Sequence, residues 1–147
     1  RWDMTVPVEH ISNTICSIEN IGAVKNIEVT ERNDGGVVHK VLITGEDGQL
    51  EIMYEHAIRT ALNGKGQTIK RNYGKDATGG NMLPSGFFVI DRVETDGKLT
   101  GFRFRGGGFG HGAGMSQNGA KSMAAKGKTY EEILKFFYEG IELKELY

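Results

Sequence analysis

The sequence has few of the features that would assign it to several large classes of protein. Cys16 is the only cysteine, so no disulfide can form within the chain, and a cysteine-ligated zinc site is not expected. No apolar run approaches the roughly 20 residues that a membrane-spanning helix requires. The formal net charge is -1, without the polybasic surface typical of nucleic-acid-binding proteins. These absences favour a globular chain that has no membrane span and no nucleic-acid partner, with Cys16 as a buried thiol.

Composition and periodicity predict an α+β fold. Hydrophobic residues make up 38% of the 147 residues and charged residues 25%, which suits one globular domain. Apolar and polar residues alternate between turns rich in Gly, Asn and Asp, which is typical of antiparallel strands. Such strands are expected at residues 2–6, 24–30, 37–44, 50–54, 86–93 and 99–105. Helices are expected at residues 7–22, 55–62, 117–126 and 129–140. The prediction is a mostly antiparallel sheet or a small β-barrel with about four packed helices.

Three local patterns add detail to this prediction. Ile11, Ile15 and Ile18 recur at helical spacing and form the apolar face of the first helix. Residues 63–81 are polar and glycine-containing, which predicts a long exposed loop. Residues 129–132 form a capping box, which marks the start of the last helix.

Residues 106–119 say more about function than any other stretch, and we call them the glycine segment. They read Gly-Gly-Gly-Phe-Gly-His-Gly-Ala-Gly-Met-Ser-Gln-Asn-Gly. Glycine loses more backbone entropy on folding than other residues, so a dense run needs a reason. Positive φ angles are one reason, and close approach of a ligand or another backbone segment is the other. A flexible linker is the alternative, but linkers rarely place Phe, His, Met and Gln at single fixed positions.

The side chains of the glycine segment allow several chemistries. His111 could act as a general acid or base, donate a hydrogen bond to a substrate, or be structural. Phe109 could stack on a sugar or be buried, and Gln117 could bind a hydroxyl or be solvated. Ser116 fits a helix cap better than a nucleophile, because no Asp–His arrangement accompanies it. The candidates for substrate binding in this segment are Phe109, Gly110, Gly112, Gly114, Ser116 and Gln117.

Other glycine-rich loops do not fit this sequence. The segment lacks the Gly-Lys-Ser/Thr ending of a nucleotide loop, and the β-α-β pattern of a dinucleotide fold is missing. No carboxylate pair of the glycosidase kind stands out among the 19 Asp and Glu residues. Nucleotide hydrolysis and dinucleotide binding are therefore excluded, and a catalytic acid cannot be named from the residues.

Residues 109–120 resemble the signature of the stage II sporulation protein D (SpoIID/LytB) family. The stretch is Phe-Gly-His-Gly-Ala-Gly-Met-Ser-Gln-Asn-Gly-Ala, and the similarity continues through residues 130–134 and residues 137–143. Earlier stretches also fit, among them Leu-Pro-Ser-Gly-Phe at residues 83–87. The chain departs at Phe109, where the family often has Trp, and at Glu139, where it often has Pro.

This resemblance implies work on the bacterial cell wall. The sporulation members are lytic transglycosylases, which cleave the MurNAc–GlcNAc bond without water and leave a 1,6-anhydro end, and other members are called amidase enhancers. The catalytic glutamate of the family lies near a Glu-Met-Pro segment followed by a Gln-Ala-Val-Ala-Ala-Arg-Thr-like helix, and this sequence contains neither. We therefore predict that residues 1–147 are one domain, the C-terminal portion of a longer SpoIID-like protein, and are inactive alone. The zinc ligands of some members belong to the same N-terminal part, so no metal or cofactor is expected.

The resemblance also assigns roles, partners and a location. The glycine segment would line a glycan cleft, where His111 supports catalysis and Gln117 helps to position the sugar, with Arg59 and Ser85 as further cleft residues. The expected partners are peptidoglycan glycan strands and other cell-wall hydrolases or amidases. The expected location is outside the cytoplasm, in the cell envelope or the space where a forespore is engulfed. Two alternatives remain open: a non-catalytic peptidoglycan-binding or amidase-enhancing module, and a scaffold in which the glycines only pack two elements closely.

Overall fold

A computed structural model describes residues 1–144. The chain divides into two compact units, Arg1–Gly112 and Ala113–Tyr147. The larger unit carries two antiparallel sheets with two helices, and the smaller unit carries two helices. The predicted α+β class is confirmed, and the strands of the described residues form two open sheets rather than a barrel. That the whole chain is one domain of a longer protein stays a prediction.

Several neighbouring strands come from parts of the chain that are distant in sequence. The larger unit contains β1 (Trp2–Pro7), α1 (Val8–Cys16), β2 (Asn26–Arg32), β3 (Val38–Thr44), β4 (Gln49–Met53), α2 (Glu55–Ala61), β5 (Thr68–Arg71), β6 (Ala77–Thr78), β7 (Phe88–Thr95) and β8 (Lys98–Gly106). The smaller unit contains α3 (Gln117–Ala125) and α4 (Tyr130–Phe137). One sheet has the strand order β6-β5-β1-β8-β7, and the other has the order β2-β3-β4.

Strand β1 is the central strand of the five-stranded sheet, because it pairs with β5 on one side and with β8 on the other. Met4 and Val6 are buried, and they lie opposite Phe104 and Phe102 in the register of β1 and β8. Alternation places these four side chains on one face of the sheet, where they enter the core. The same alternation places Arg103 on the opposite, exposed face.

The exposed face of this sheet carries two ion pairs between neighbouring strands. Arg103 on β8 donates hydrogen bonds to both carboxylate oxygens of Asp3 on β1. Arg105 on β8 donates to Asp91 on β7 from Nε at 2.8 Å and from Nη2 at 3.2 Å. Each pair joins residues that lie diagonally across two antiparallel strands, where opposite charges stabilise pairing modestly.

We expect Asp3 to contribute to the loss of stability in acid. The hydrogen bonds from Arg103 hold the pKa of Asp3 below its ordinary value of 3.8, against the opposing effect of burial. A carboxyl group whose pKa is lower in the folded state stabilises the fold above its unfolded-state pKa. That contribution is lost as the pH falls through the folded-state value. Urea unfolding at about pH 6 and about pH 2.5 should show a smaller acid-induced loss for Asp3→Asn than for the wild type. Glu9→Gln, at an exposed carboxylate, is the control, and an unchanged loss in Asp3→Asn would contradict the assignment.

Helix α1 is shorter than the sequence predicts. It ends at Cys16 rather than near Gly22, and Ile18 is 57% exposed instead of extending the apolar face. Ser17 ends the helix because its hydroxyl donates to the carbonyl of Thr14, and the amide of Ile18 turns back to Ile15. Cys16 is half-buried rather than buried, and its thiol lies 3.4 Å from the carbonyl oxygen of Gly22.

The prediction of a long exposed loop at residues 63–81 is wrong over part of this range, because the range contains β5 and β6. Strand β5 pairs with the edge of β1, with Trp2 opposite Arg71, and it buries Ile69. A four-residue strand with a single apolar side chain carries no alternation that a sequence pattern can detect. Pairing with a strand from the start of the chain decides its structure.

The smaller unit follows its sequence signals closely. Thr129 and Glu132 form the predicted capping box at the start of α4, and Gly127 has a φ of 81° just after α3. Within residues 1–144, no helix combines the length and apolar character needed to cross a bilayer.

Candidate functional site

The glycine segment uses its glycines for both of the reasons that its composition suggests. Gly106 is required by close approach, because an added Cβ would lie 2.2 Å from Cζ2 of Trp2. Gly108, Gly110 and Gly112 have φ angles of 74°, 114° and 74°, in the region that disfavours side chains. The segment is therefore packed against the core at its start and takes a glycine-specific course afterwards.

A second segment, residues 83–87, anchors this part of the glycine segment through backbone hydrogen bonds. The amide of Gly107 donates to the carbonyl of Phe87, and the amide of Gly110 donates to the carbonyl of Pro84, each at 2.9 Å. Ser85 and Gly110 also form an isolated parallel bridge. These bonds fix the course of the segment between β8 and Gly110.

Ser85 is a buried connector within this anchor. Its hydroxyl accepts a hydrogen bond from Nε1 of Trp2 at 3.2 Å and donates one to the carbonyl of Gly107 at 2.6 Å. The side chain is 4% exposed. Ser85 therefore acts on the site by joining β1 to the glycine segment, and its predicted direct contact with substrate stays a prediction.

Arg59 is a second buried residue that holds residues 83–87 in place. It is 6% exposed, and its guanidinium donates to the carbonyls of Leu83 at 2.9 Å and Pro84 at 3.2 Å. It also pairs with the half-buried carboxylate of Glu55 one helical turn earlier, at 2.8 Å. Arg59 thus lies behind residues 83–87, and its predicted contact with substrate stays a prediction.

Three surface depressions border the larger unit's part of the glycine segment. The first, of about 620 Å³, carries arginines, and the second, of about 410 Å³, is flanked by Tyr73 and Phe109. The third, of about 310 Å³, is lined by glycine backbone with Val37 and Phe87. Tyr73 and Phe109 are each 89% exposed, and Phe87 is 52% exposed. Exposed aromatic rings beside shallow depressions suit stacking on the apolar faces of sugars.

The predicted site residues fall in both compact units. The larger unit ends with Phe109, Gly110, His111 and Gly112, and His111 is exposed there. Gly114, Ser116 and Gln117 lie in the smaller unit. The structure therefore brings residues 109–112 together with Ser85 and Arg59 in the larger unit. Gly114, Ser116 and Gln117 are described only within the smaller unit.

In the smaller unit, Ser116 has the capping role that its sequence position suggests. Its Oγ accepts from the amide of Gly119 at 3.1 Å at the start of α3. Gln117 is the first residue of that helix and is exposed, and Gly114 has a φ of 68°. The hydroxyl of Tyr138 accepts from the amide of Met115 at 3.3 Å. A nucleophilic role for Ser116 has no support from these contacts.

Sequence reasoning missed three residues that build the site. Trp2 packs on Gly106, Phe87 borders two of the depressions, and Glu55 holds Arg59. The spacing of Glu55 and Arg59, four residues apart on a helix, is the only one of these signals that a sequence carries. Trp2 and Phe87 depend on contacts between residues that are distant in sequence.

A comparison with protein families decides the membership of the chain. Residues 1–114 match the family model described as "Domain of unknown function (DUF8618)", which is well over half of the chain. The chain belongs to this family. No solved structure matches the DUF8618 chain.

Shorter stretches of the DUF8618 chain are similar to curated bacterial proteins. It is 55% identical over 38 residues to "Stage II sporulation protein D" of Bacillus subtilis, covering 26% of this chain and 11% of that protein. It is 52% identical over 62 residues to the "Amidase enhancer" of Bacillus subtilis, covering 42% of this chain and 9% of that protein. It is 44% identical over 62 residues to an uncharacterized protein of Brachyspira hyodysenteriae, covering 42% and 16%.

These similarities confirm the predicted resemblance to the SpoIID family for part of the chain. The matched stretches span only between 9% and 16% of the length of the curated relatives. The DUF8618 chain therefore contains a SpoIID-like region, and the activity of a whole relative is not transferred by this match alone.

Proposed function

We propose that the DUF8618 chain binds peptidoglycan glycan strands and, within a longer protein, takes part in their cleavage outside the cytoplasm. The names of the relatives point to a cell-wall or sporulation role. The observation that carries the proposal is the anchored glycine segment, which carries Phe109 and His111 two residues apart with both side chains exposed. An exposed imidazole and an exposed aromatic ring on one short backbone segment are suited to a sugar held at the surface.

The proposed reaction is that of a lytic transglycosylase. The C6 hydroxyl of the MurNAc unit attacks its own C1 while an acid protonates the departing glycosidic oxygen. The conjugate base of that acid takes up the proton of the C6 hydroxyl, and a 1,6-anhydro end results. The carboxylates of Glu55 and Asp91 are paired with Arg59 and Arg105, so neither is suited to be that acid. We place the acid in another part of the longer protein. We assign His111 the role of stabilising the charge that develops on the sugar.

We expect His111→Ala to lower the formation of anhydro-muropeptides by the parent protein by roughly ten-fold or more, because general acid–base and electrostatic groups contribute at least that much. The measurement is digestion of denuded glycan strands followed by separation of the products. His56→Ala, at an exposed histidine on α2, is the matched control and should be fully active. A wild-type yield from His111→Ala would remove His111 from the mechanism.

A second candidate function is favoured by the name of one relative, "Amidase enhancer". In that case the chain binds glycan and recruits an amidase without cleaving sugar bonds. Adding the 147-residue chain to a peptidoglycan amidase would then raise the release of stem peptides, while the parent protein alone would yield no anhydro ends. Anhydro ends from the parent protein without any amidase decide for the transglycosylase.

A further inference from the structure

Four of the seven arginines of the chain border two depressions at one end of the five-stranded sheet. We call them the arginine cluster: Arg1, Arg32, Arg71 and Arg105. The depression of about 620 Å³ is bordered by three of them and the depression of about 410 Å³ by two, and Arg1 borders both. The formal net charge of the chain is -1, so this positive charge is local. A local positive patch of this kind attracts anions.

The strand register brings the arginine cluster together from four distant parts of the chain. Arg71 at the end of β5 lies opposite Trp2, and Trp2 lies opposite Gly106 at the end of β8. Gly106 in turn lies opposite Phe88, whose carbonyl accepts a hydrogen bond from Arg32. The other two arginines directly precede Trp2 and Gly106 in the chain. Neighbouring strands lie about 4.8 Å apart, so the row from Arg71 to Phe88 is about 14 Å long.

The carboxylates near the arginine cluster leave most of its charge unpaired. Asp3 is the only acidic residue of the larger unit that lines either depression, and its oxygens accept from an arginine of β8 outside the cluster. Asp91 pairs with Nε and Nη2 of Arg105, which leaves the Nη1 group open. Asp76 accepts from the backbone amide of Arg71 at 3.3 Å and not from its guanidinium. The other three arginines have no carboxylate of the larger unit within ion-pair distance.

Arg32 is a preorganised cation within the cluster. Its Nη1 group donates to the carbonyl of Gly36 at 3.0 Å, and its Nη2 group donates to the carbonyl of Phe88 at 2.8 Å. Both acceptors are neutral, so these bonds hold the guanidinium in place without cancelling its charge. A cation that is already held in one position loses less side-chain entropy when an anion binds. Arg32 therefore gives the cluster a fixed point for an anion.

We propose that the arginine cluster binds an extended polymer of polyols linked by phosphodiesters, an inference whose choice of a cell-wall polymer rests on the proposed function. A single phosphate covers only a small part of the row of about 14 Å, so a ligand that meets cations along the whole row must repeat its charge. A phosphodiester polymer carries one charge at every link. The two free oxygens of each link match the two-pronged donor geometry of a guanidinium.

The test is isothermal titration of the 147-residue chain with purified poly(glycerol phosphate). Binding should weaken steeply as salt is added, because a bound polyanion releases the ions condensed on it. Glycerol 3-phosphate at the same phosphate concentration should bind roughly ten-fold more weakly or worse, since it meets one cation at a time. Equal affinity per phosphate would contradict an extended site. Trp2, the only tryptophan, borders both depressions and reports by fluorescence whether they are occupied.

Matched variants connect the binding to the arginine cluster. Arg1→Gln/Arg71→Gln should weaken polymer binding roughly ten-fold, because two charged donors are lost. Neither side chain has a partner in the larger unit, so the fold should be unaffected. Lys65→Gln/Lys98→Gln removes the same charge beyond the opposite ends of β5 and β8 and should change the affinity by less than about two-fold. Equal losses in the two double variants would overturn the assignment to the cluster.

Three other polyanions, at the same concentration of charge, separate this ligand from other classes. They are poly-L-glutamate, oligothymidylate and vesicles of phosphatidylglycerol. Binding of any of them as tight as that of poly(glycerol phosphate), or tighter, overturns the assignment to a polyol phosphate.

The proposed function is tested separately with peptidoglycan from which acid has removed the phosphodiester polymers. If the chain sediments with this material but does not bind the free polymer, glycan binding stands and this inference fails. If the chain binds the free polymer but does not sediment, this inference stands and glycan binding fails.

Discussion

Replacing Arg59 by leucine is expected to lower the free energy of unfolding of the larger unit by roughly 3–5 kcal/mol, the usual cost of breaking a buried ion pair from one side. The guanidinium is buried and satisfies the carbonyls of Leu83 and Pro84 as well as the carboxylate of Glu55. Leucine supplies no donor, so three acceptors lose their partner while the carboxylate remains half-buried.

Urea unfolding followed by Trp2 fluorescence measures this effect in the unit that contains both residues. Arg92→Leu is the control, because Arg92 is about half exposed and its ion pair with Glu94 is solvated. The double variant Glu55→Gln/Arg59→Leu should lose less than the sum of the two single variants, since the unpaired charge is absent. A loss below about 1 kcal/mol for Arg59→Leu would mean that water replaces the guanidinium without cost, contrary to its burial.

The second large loss of stability is expected from substitution of Gly106, one of two adjacent glycines. Gly106→Ala should lower the free energy of unfolding by roughly 3 kcal/mol, at the upper end of the range for overpacked cores. An added Cβ would lie 2.2 Å from Cζ2 of Trp2 and 2.8 Å from the carbonyl oxygen of Phe87, and neither neighbour is the free end of a flexible side chain. Either β8 separates from β1 or the indole leaves its position.

Gly107→Ala provides the matched control one residue later. Its Cβ would lie 3.4 Å from Cδ1 of Phe87, which is ordinary van der Waals contact. We expect a change of less than about 1 kcal/mol there, as for most surface substitutions. Equal losses in the two variants would show that entropy of the glycine backbone, rather than contact with Trp2, decides the requirement at Gly106.

The parts of the fold that could be predicted from the sequence are those decided by neighbours along the chain. Phe102 and Phe104 alternate with arginines, and residues 129–132 cap a helix through bonds three residues apart. Strand β5 could not be predicted, because it forms on the edge of a strand more than sixty positions away, with Trp2 opposite Arg71.

The candidate site could likewise be predicted only in part from the sequence. Composition alone indicates the glycine segment as a site, and both suggested reasons for its glycines are present. Which reason applies to which glycine could not be predicted, since close approach of Trp2 decides it at Gly106 and a φ of 114° decides it at Gly110. The resemblance indicates Arg59 and Ser85 as cleft residues, but only the tertiary structure reveals their partners that are distant in sequence. These are Leu83 and Pro84 for Arg59, and Trp2 and Gly107 for Ser85.

The pairing of β1 with β8 also sets the time at which the larger unit can fold. Asp3 and Arg103, which bond across these strands, are 100 positions apart in the chain. A ribosome adds about 5–20 residues per second, so β1 waits roughly 5–20 s for its partner to be synthesised. Contacts of such long sequence range also slow folding, because the intervening chain must lose its freedom before they form. The buried face of β1, with Trp2, Met4 and Val6, is therefore exposed on the nascent chain for that interval, and a chaperone that holds extended apolar segments has a defined target there.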